Sequence, residues 1–141
     1  MTKWDAEGGS VWLDQFLGNL SEDQRGRIRY LAQHDYSGNP SGIVAKAQAA
    51  HKKYGRKIWL TEFAVGNGAD RESNDKFLAK ALPLLEACDS VARYAWFSTR
   101  NEPKAWVAES SLLPPEEKQQ EQISMVPTST GKIYAGLNSR N

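Results

Sequence analysis

The sequence predicts an α/β fold in which three parallel strands alternate with flanking helices. Short apolar runs rich in β-branched and aromatic residues begin near positions 27, 58 and 91, and segments with helical spacing separate them. A return between parallel strands needs a crossover of about a dozen residues or more, which these segments supply. With 141 residues, the chain is expected to form one domain over 1–141.

The first half of the chain is expected to hold a helix, a strand and a second helix. Residues 11–17 place apolar side chains at helical spacing and follow Ser10, a residue type favoured at helix N-termini. Residues 27–34 are predicted to form a strand. A turn-rich segment then leads to a helix over about 43–54, which Gly55 ends.

The second half repeats the alternation and then loses it. A strand is predicted over 58–63, a helix over 74–88 and a third strand over 91–97. Residues 101–126 contain three prolines and a polar run, so a long loop or a solvated helical turn is expected there. A last short helix is predicted over 130–137.

Composition narrows the classes of partner. The chain has 18 Lys and Arg against 17 Asp and Glu without a charge block, so no nucleic-acid partner is expected and a neutral polymer fits better. The only cysteine, Cys88, excludes an internal disulfide and is expected to be a small buried hydrophobe. No signal peptide and no apolar run of about 18 residues is present, so no membrane contact is expected and the compartment stays open.

Glu62 is the strongest candidate site residue in the chain. It ends a short apolar strand and precedes a loop with two glycines, the position at which barrels of alternating strands and helices carry their chemistry. In a two-residue repeat, Ile58 and Leu60 point to the same side as Glu62. The alternative is a glutamate that caps the next helix or lies solvated in a turn.

Three strand ends carry short motifs in a defined order. They read His34-Asp35-Tyr36, Thr61-Glu62-Phe63 and, over 93–98, Arg-Tyr-Ala-Trp-Phe-Ser. Together they resemble glycoside hydrolase family 128, the glycosyl hydrolase catalytic core barrels that cut β-1,3-glucans. The resemblance implies a partial (half) TIM-type β/α barrel that corresponds to the C-terminal half of the family's eight-stranded fold.

The resemblance also implies roles for individual residues. Glu62 corresponds to the nucleophile of a retaining mechanism on β-glucan or its oligosaccharides. His34 and Tyr36 correspond to cleft residues that hydrogen-bond the nucleophile or a sugar hydroxyl. Trp96 corresponds to an aromatic platform beneath a sugar ring, with Tyr94 as a further substrate contact. Without the resemblance, His34 and Trp96 are better explained as packed structural residues.

The acid/base of such a mechanism has no clear counterpart. In the family that role belongs to the glutamate of an Asn-Glu-Pro motif at the end of the fourth strand, a strand that the resemblance does not cover. The chain does hold Asn101-Glu102-Pro103, but after its last strand. Glu102 is therefore either an accidental match or a displaced acid/base. A hydrolase, a non-catalytic glycan-binding half-barrel and a fragment that needs a partner half all remain open.

The remaining expectations concern cofactors and the oligomeric state of the chain. The chain has no His-Glu-x-x-His motif, no paired cysteines and no Gly-rich phosphate loop, so no metal or organic cofactor is implied. An open three-stranded sheet leaves two edges unpaired and is expected to expose Tyr30, Ile58, Leu60 and Tyr94. A homo-oligomer or a partner half-barrel is therefore expected.

Overall fold

A computed structural model describes residues 9–114 and 125–136, which form a three-stranded sheet with helices on one face. Strand β2 lies between β1 and β3 and pairs parallel with both, as the sequence predicts. The elements are helix α1 (Val11–Gly18), helix α2 (Glu22–Arg27), strand β1 (Tyr30–Asp35), helix α3 (Pro40–Tyr54), strand β2 (Lys57–Phe63), helix α4 (Arg71–Glu86), strand β3 (Val91–Trp96) and helix α5 (Ser129–Tyr134).

Helix boundaries follow local capping chemistry. The Ser10 side chain accepts a hydrogen bond from the amide of Leu13 at the start of α1. Helix α3 begins three residues earlier than predicted, because Asn39 caps it and Pro40 occupies its first position, where the missing N–H costs nothing. Gly55 ends α3 in the left-handed region at φ 65°.

Helix α2 was not predicted. Its sequence lacks the apolar stripe by which helices are usually found, and all six of its residues are exposed. It is held instead by a capping box, in which Ser21 accepts from the amide of Gln24 and Gln24 accepts in return from the amide of Ser21. The Ser-x-x-Gln spacing was the available signal.

A β-bulge in β2 overturns the predicted orientation of Glu62. Leu60 pairs with Gln33 whereas Glu62 pairs with His34, so β2 has one more residue than β1 over this stretch. The extra residue breaks the two-residue repeat. Ile58, Leu60 and Phe63 are all buried against the helices, and Glu62 lies with His34 on the opposite, open face.

The core lies between the sheet and its helices. One cluster joins β2, β3 and α4 through Leu60, Phe63, Phe77, Leu78 and Trp96, and a second joins α1, β1 and α3 around Leu31, Ala47 and Ile58. The prediction that Ile58, Leu60 and Tyr94 lie on the open face is therefore wrong, since all three belong to the side that the helices cover. Tyr30 does lie on the open face, where its ring contacts Trp59 in a tilted arrangement with 5.2 Å between centroids.

The segment after β3 is more ordered than predicted. Residues 97–114 fold back over the end of the sheet through backbone hydrogen bonds from Leu112 to Ser98 and from Leu113 to Thr99. They include a short 3₁₀ helix (Ala108–Ser110), with Val107, Ser110 and Ser111 buried. The polar run at 116–122 lies outside the described residues.

The last helix and the burial of the cysteine agree with expectation. Helix α5 confirms a last short helix, and its Ile133 and Tyr134 pack against the core, while residue 137 lies outside the described residues. Cys88 is buried, as predicted. Among residues 9–114 and 125–136, no helix is both long enough and apolar enough to span a bilayer.

Candidate active site

Three polar side chains meet where β1 and β2 end. His34 is the next-to-last residue of β1, Tyr36 follows in the next loop, and Glu62 comes from the bulged end of β2. Parallel strands bring their carboxyl ends to one edge, so residues 26 positions apart in the chain become neighbours. The grouping of Glu62, His34 and Tyr36 at this edge joins residues of the first two sequence motifs.

One oxygen of Glu62 receives both contacts. The Tyr36 hydroxyl donates to Oε2 at 2.5 Å, and the Nδ1 of His34 lies 3.2 Å from the same atom. Within the described part of the chain, Oε1 has no hydrogen-bond partner. The Glu62 side chain is 32% exposed, so the carboxylate is both fixed and accessible from solvent. This is the geometry required of a positioned nucleophile or base.

Tyr36 is held in its protonated form. Burial, and then its hydrogen bond to Glu62, raise the pKa of the phenol above its usual value near 10. Its ring makes edge contacts with Phe97 at 5.9 Å and with Trp106 at 4.7 Å between centroids. Tyr36 therefore remains a hydrogen-bond donor to Glu62 throughout the neutral and mildly alkaline range.

Asp35 fixes the backbone that carries Tyr36. Its side chain points to the covered face, where Oδ1 accepts from the amide and hydroxyl of Ser37 and Oδ2 pairs with Lys46 at 2.8 Å. The Asp35 carboxylate is buried. Because these bonds bracket residue 36, Asp35 positions the Tyr36 ring without contacting Glu62.

The loops after the three strands are bonded to one another. The amide of Gly66 donates to the carbonyl of Tyr36, and the amide of Gly68 donates to the carbonyl of Trp106. Buried Asn74, in α4, accepts from the amide of Val65 and donates to the carbonyls of Ala69 and Asp70. The three loops at the edge that carries Glu62 are thus joined to one another by hydrogen bonds.

The structure contradicts the prediction that Trp96 offers a ring face to a sugar. Trp96 is 6% exposed and packs on Phe63 and Phe77 in the covered core, where its Nε1 donates to the carbonyl of Ser110. Tyr94 is partly exposed but lies away from the Glu62 cluster, and its contact with substrate stays a prediction. Tyr94 pairs with Leu60 on the covered face, and its hydroxyl donates to Glu86.

Glu102 lies apart from the grouped residues. It is exposed in the turn where its carbonyl accepts from the amide of Ala105. Across the described residues, no hydrogen bond or ion pair joins the Glu102 side chain to Glu62, His34 or Tyr36. Its role as acid/base stays a prediction.

Sequence reasoning missed two residues of this edge. Trp106 lies on the loop after β3, is 53% exposed and contacts the Tyr36 ring. Asp35 was part of the first motif but received no role. A tryptophan in a proline-containing loop directly after the third strand was the available signal for the first. Over residues 9–114 and 125–136, no group of three metal-binding side chains is found.

A parallel sheet flanked by helices, with a fixed and accessible glutamate at its carboxyl edge, is the arrangement of a partial β/α barrel. The comparisons agree with that class. The chain matches the family described as "Glycosyl hydrolase catalytic core" over residues 1–134 and belongs to it. It is also 33% identical over 110 residues to alkali-sensitive linkage protein 1 of Schizosaccharomyces pombe, a match that covers 74% of this chain and 20% of that protein.

Solved structures of glycoside hydrolase family 128 share the fold. An endo-β-1,3-glucanase of subgroup I from Amycolatopsis mediterranei superposes with a TM-score of 0.70 at 23% identity, over 94% of this chain and 54% of the enzyme. A subgroup II endo-β-1,3-glucanase from Pseudomonas viridiflava gives 0.61 at 28% identity, over 88% of this chain and 46% of the enzyme.

A third structure in the same family has a different description. The subgroup VII oligosaccharide-binding protein from Cryptococcus neoformans gives a TM-score of 0.66 at 23% identity, over 91% of this chain and 46% of that protein. The chain therefore spans about half the length of these structures. This coverage agrees with the predicted partial barrel of three parallel strands.

Proposed function

We propose that the chain acts as a β-1,3-glucanase-type glycoside hydrolase with Glu62 as its nucleophile. The observation that carries the proposal is the Glu62 carboxylate, fixed through Oε2 by Tyr36 and His34 at the carboxyl edge of the sheet. A carboxylate held in one orientation loses little freedom on reaching the transition state. Membership of the glycosyl hydrolase catalytic core family supports the reaction class.

The proposed reaction has two displacements. Oε1 of Glu62 attacks the anomeric carbon while the bond to the leaving sugar oxygen breaks and an acid supplies that oxygen with a proton. Water then attacks the anomeric carbon, the bond to Glu62 breaks to restore the carboxylate, and a proton of that water returns to the residue that served as the acid. The acid must lie about 5 to 5.5 Å from the nucleophile. Glu102, on the loop after the neighbouring strand, is the candidate within this chain.

Two observations support a β-glucan substrate. The near balance of 18 basic and 17 acidic side chains suits a neutral polymer. Structurally similar glucanases from Amycolatopsis mediterranei have been solved with laminaritriose and laminaripentaose bound. We therefore assign laminari-oligosaccharides as the first ligands to test.

The test replaces the carboxylate without changing its shape. Glu62→Gln should lower reducing-sugar release from laminarin on the order of 10³-fold or more, because an amide cannot form the glycosyl ester. Glu72→Gln is the matched control, since Glu72 is an exposed surface residue paired with Lys76. Turnover by Glu62→Gln equal to that of Glu72→Gln would rule out the nucleophile assignment.

A second candidate function is glycan binding without hydrolysis. It is favoured by the position of Glu102, whose described contacts do not reach the Glu62 cluster. The oligosaccharide-binding protein from Cryptococcus neoformans provides a structural parallel. If the unaltered chain and the Glu62→Gln variant bind laminaritriose equally and neither releases reducing sugar, this second function replaces the first.

We also propose that the chain associates through the edges of its sheet. Strands β1 and β3 each pair with β2 only, so both edges carry unpaired backbone groups in the described fold. A homodimer joined at these strands is expected, with a partner half-barrel as the alternative. Sedimentation at micromolar concentration should give twice the mass of one chain. A soluble monomer would contradict it.

A further inference from the structure

Trp106 is the large aromatic side chain that lies beside the Glu62 cluster and is still open to solvent. Its indole is 53% exposed, and the Tyr36 ring approaches it at 4.7 Å with 60° between the ring planes. Tyr36 in turn donates to Glu62. One aromatic ring therefore separates the indole from the carboxylate proposed to react.

The loop packs Trp106 against Gly66 in spite of this exposure. Its carbonyl accepts from the amide of Gly68, and a Cβ at Gly66 would lie only 2.8 Å from the Cζ3 atom of the indole. The next residue, Val107, is buried. An exposed ring fixed from both sides has already lost the freedom that ligand binding would otherwise remove.

The chemistry of an exposed indole suits one class of ligand at this edge. The flat apolar faces of a pyranose ring carry C–H groups that pack on an aromatic face, and the indole N–H can bond a hydroxyl at the rim. A charged ligand would need a cation or an anion partner here, whereas a neutral sugar does not. Trp96, the residue first predicted for this task, is buried on the other side of the sheet.

Resting on the proposed glycan function, the geometry points to Trp106 as the platform that binds a glucosyl unit next to the one at Glu62. Tyr36 then has two contacts to maintain, a hydrogen bond to the carboxylate and an edge contact with the platform. The Tyr36 ring sets the distance between the indole and the carboxylate, which two linked glucosyl units would have to span. Trp106 is a binding residue and takes no part in bond cleavage.

Binding must be measured where hydrolysis cannot interfere. Laminaritriose is titrated by calorimetry into Glu62→Gln and into the same chain carrying Trp106→Leu, Trp106→Phe or Trp12→Ala. Leucine fills the space beside Gly66 without a flat ring, and phenylalanine keeps a ring face. Trp12 is a matched control, since it is exposed on α1 and stacks only on Phe16 among its described aromatic contacts. Thermal unfolding of each variant reports whether it is folded.

The platform predicts that Trp106→Leu weakens binding about tenfold or more, that Trp106→Phe weakens it less, and that Trp12→Ala leaves it unchanged. Binding by Trp106→Leu within twofold of the parent overturns the platform. So does a loss in Trp12→Ala equal to that in Trp106→Leu, or no laminaritriose binding by Glu62→Gln at millimolar concentration.

Reducing-sugar release by the chain with Glu62 intact is assayed in parallel, which separates the two proposals. Binding that depends on Trp106 without any hydrolysis supports the platform and overturns the hydrolase. Hydrolysis together with binding that is indifferent to Trp106 supports the hydrolase and overturns the platform. If the Trp106→Leu chain does not fold, Trp106→Phe decides: an affinity below the parent's supports the indole platform, and an affinity equal to the parent's overturns it.

Discussion

The two faces of the sheet use similar side chains for opposite purposes. The covered face buries Leu60, Phe63 and Trp96 beneath the helices, with rings in edge contact at 5.0 Å. The open face carries His34, Glu62 and Trp59, and the Trp59 ring contacts Tyr30 at a tilt and lies near the Arg93 guanidinium. Residue type alone does not tell the faces apart. The register of each residue decides whether an aromatic ring is core or surface.

The largest effect of that difference should be on stability. Trp96→Ala removes a buried ring and its hydrogen bond to Ser110, so the free energy of unfolding should fall by about 3 to 5 kcal/mol. Trp59→Ala removes a ring that is 38% exposed, and the fall should be about 1 kcal/mol or less. Urea unfolding of both variants measures the contrast. Equal losses would mean that the open face is covered in solution.

The next effect should come from Asp35, which joins the two faces. Asp35→Asn breaks the ion pair with Lys46 and leaves a buried group imperfectly bonded, so stability should fall by about 1 to 3 kcal/mol. Affinity for laminaritriose should fall as well, because residues 35–37 hold the Tyr36 ring. Asp23→Asn breaks an exposed ion pair with Arg27 and should cost less than about 0.5 kcal/mol. Unaltered affinity in folded Asp35→Asn would remove its positioning role.

A smaller effect should appear in the alkaline range. The pKa of Tyr36 is raised by burial and by Glu62, so the folded chain keeps a proton that the unfolded chain loses near pH 10. The stabilisation linked to this proton is complete below pH 10 and is lost as the pH rises further. Tyr36→Phe should flatten that loss and remove one late step from the ultraviolet titration of the tyrosines. An unchanged titration would show that Tyr36 ionises normally.

The smallest predicted effect concerns the packing of Trp106 and is tested by a substitution at another residue. A Cβ at Gly66 would lie 2.8 Å from the indole and 3.2 Å from the carbonyl oxygen of Tyr36, so Gly66→Ala should displace both residues and weaken laminaritriose binding severalfold. Gly18→Ala meets nothing within 4 Å and should leave binding unchanged. Calorimetry in the Glu62→Gln background measures both. Equal affinities for the two variants would show that the position of the indole is not critical.

Much of the fold could be predicted because its signals are local. Apolar spacing located α1, α3 and α4, and capping residues marked their ends to within a few residues. Helix α2 was missed, since it has no buried side chain to leave a pattern. The fold-back of 97–114 was also missed, because its stability comes from hydrogen bonds between distant backbone groups.

The candidate site, too, could be predicted only in part from the sequence. Motif order was enough to group Glu62 with His34 and Tyr36, because parallel strands bring their ends together. The face of each residue was not predictable from alternation, since one extra residue in β2 shifts the parity after Leu60. The error at Trp96 has a related cause. A strand-end tryptophan fits core and surface equally well until its face is known.

The bulge in β2 has a consequence for how this strand tolerates insertion and deletion. Thr61 and Glu62 occupy the stretch where β2 has one residue more than β1. A homologous strand without a residue at position 61 would return to simple alternation, with Leu60 and Phe63 still inward and Glu62 still outward. Loss of a residue elsewhere in the strand would exchange the two faces unless the bulge closed to absorb it. In an alignment, position 61 is the place in β2 where a gap leaves both the core and the carboxylate intact.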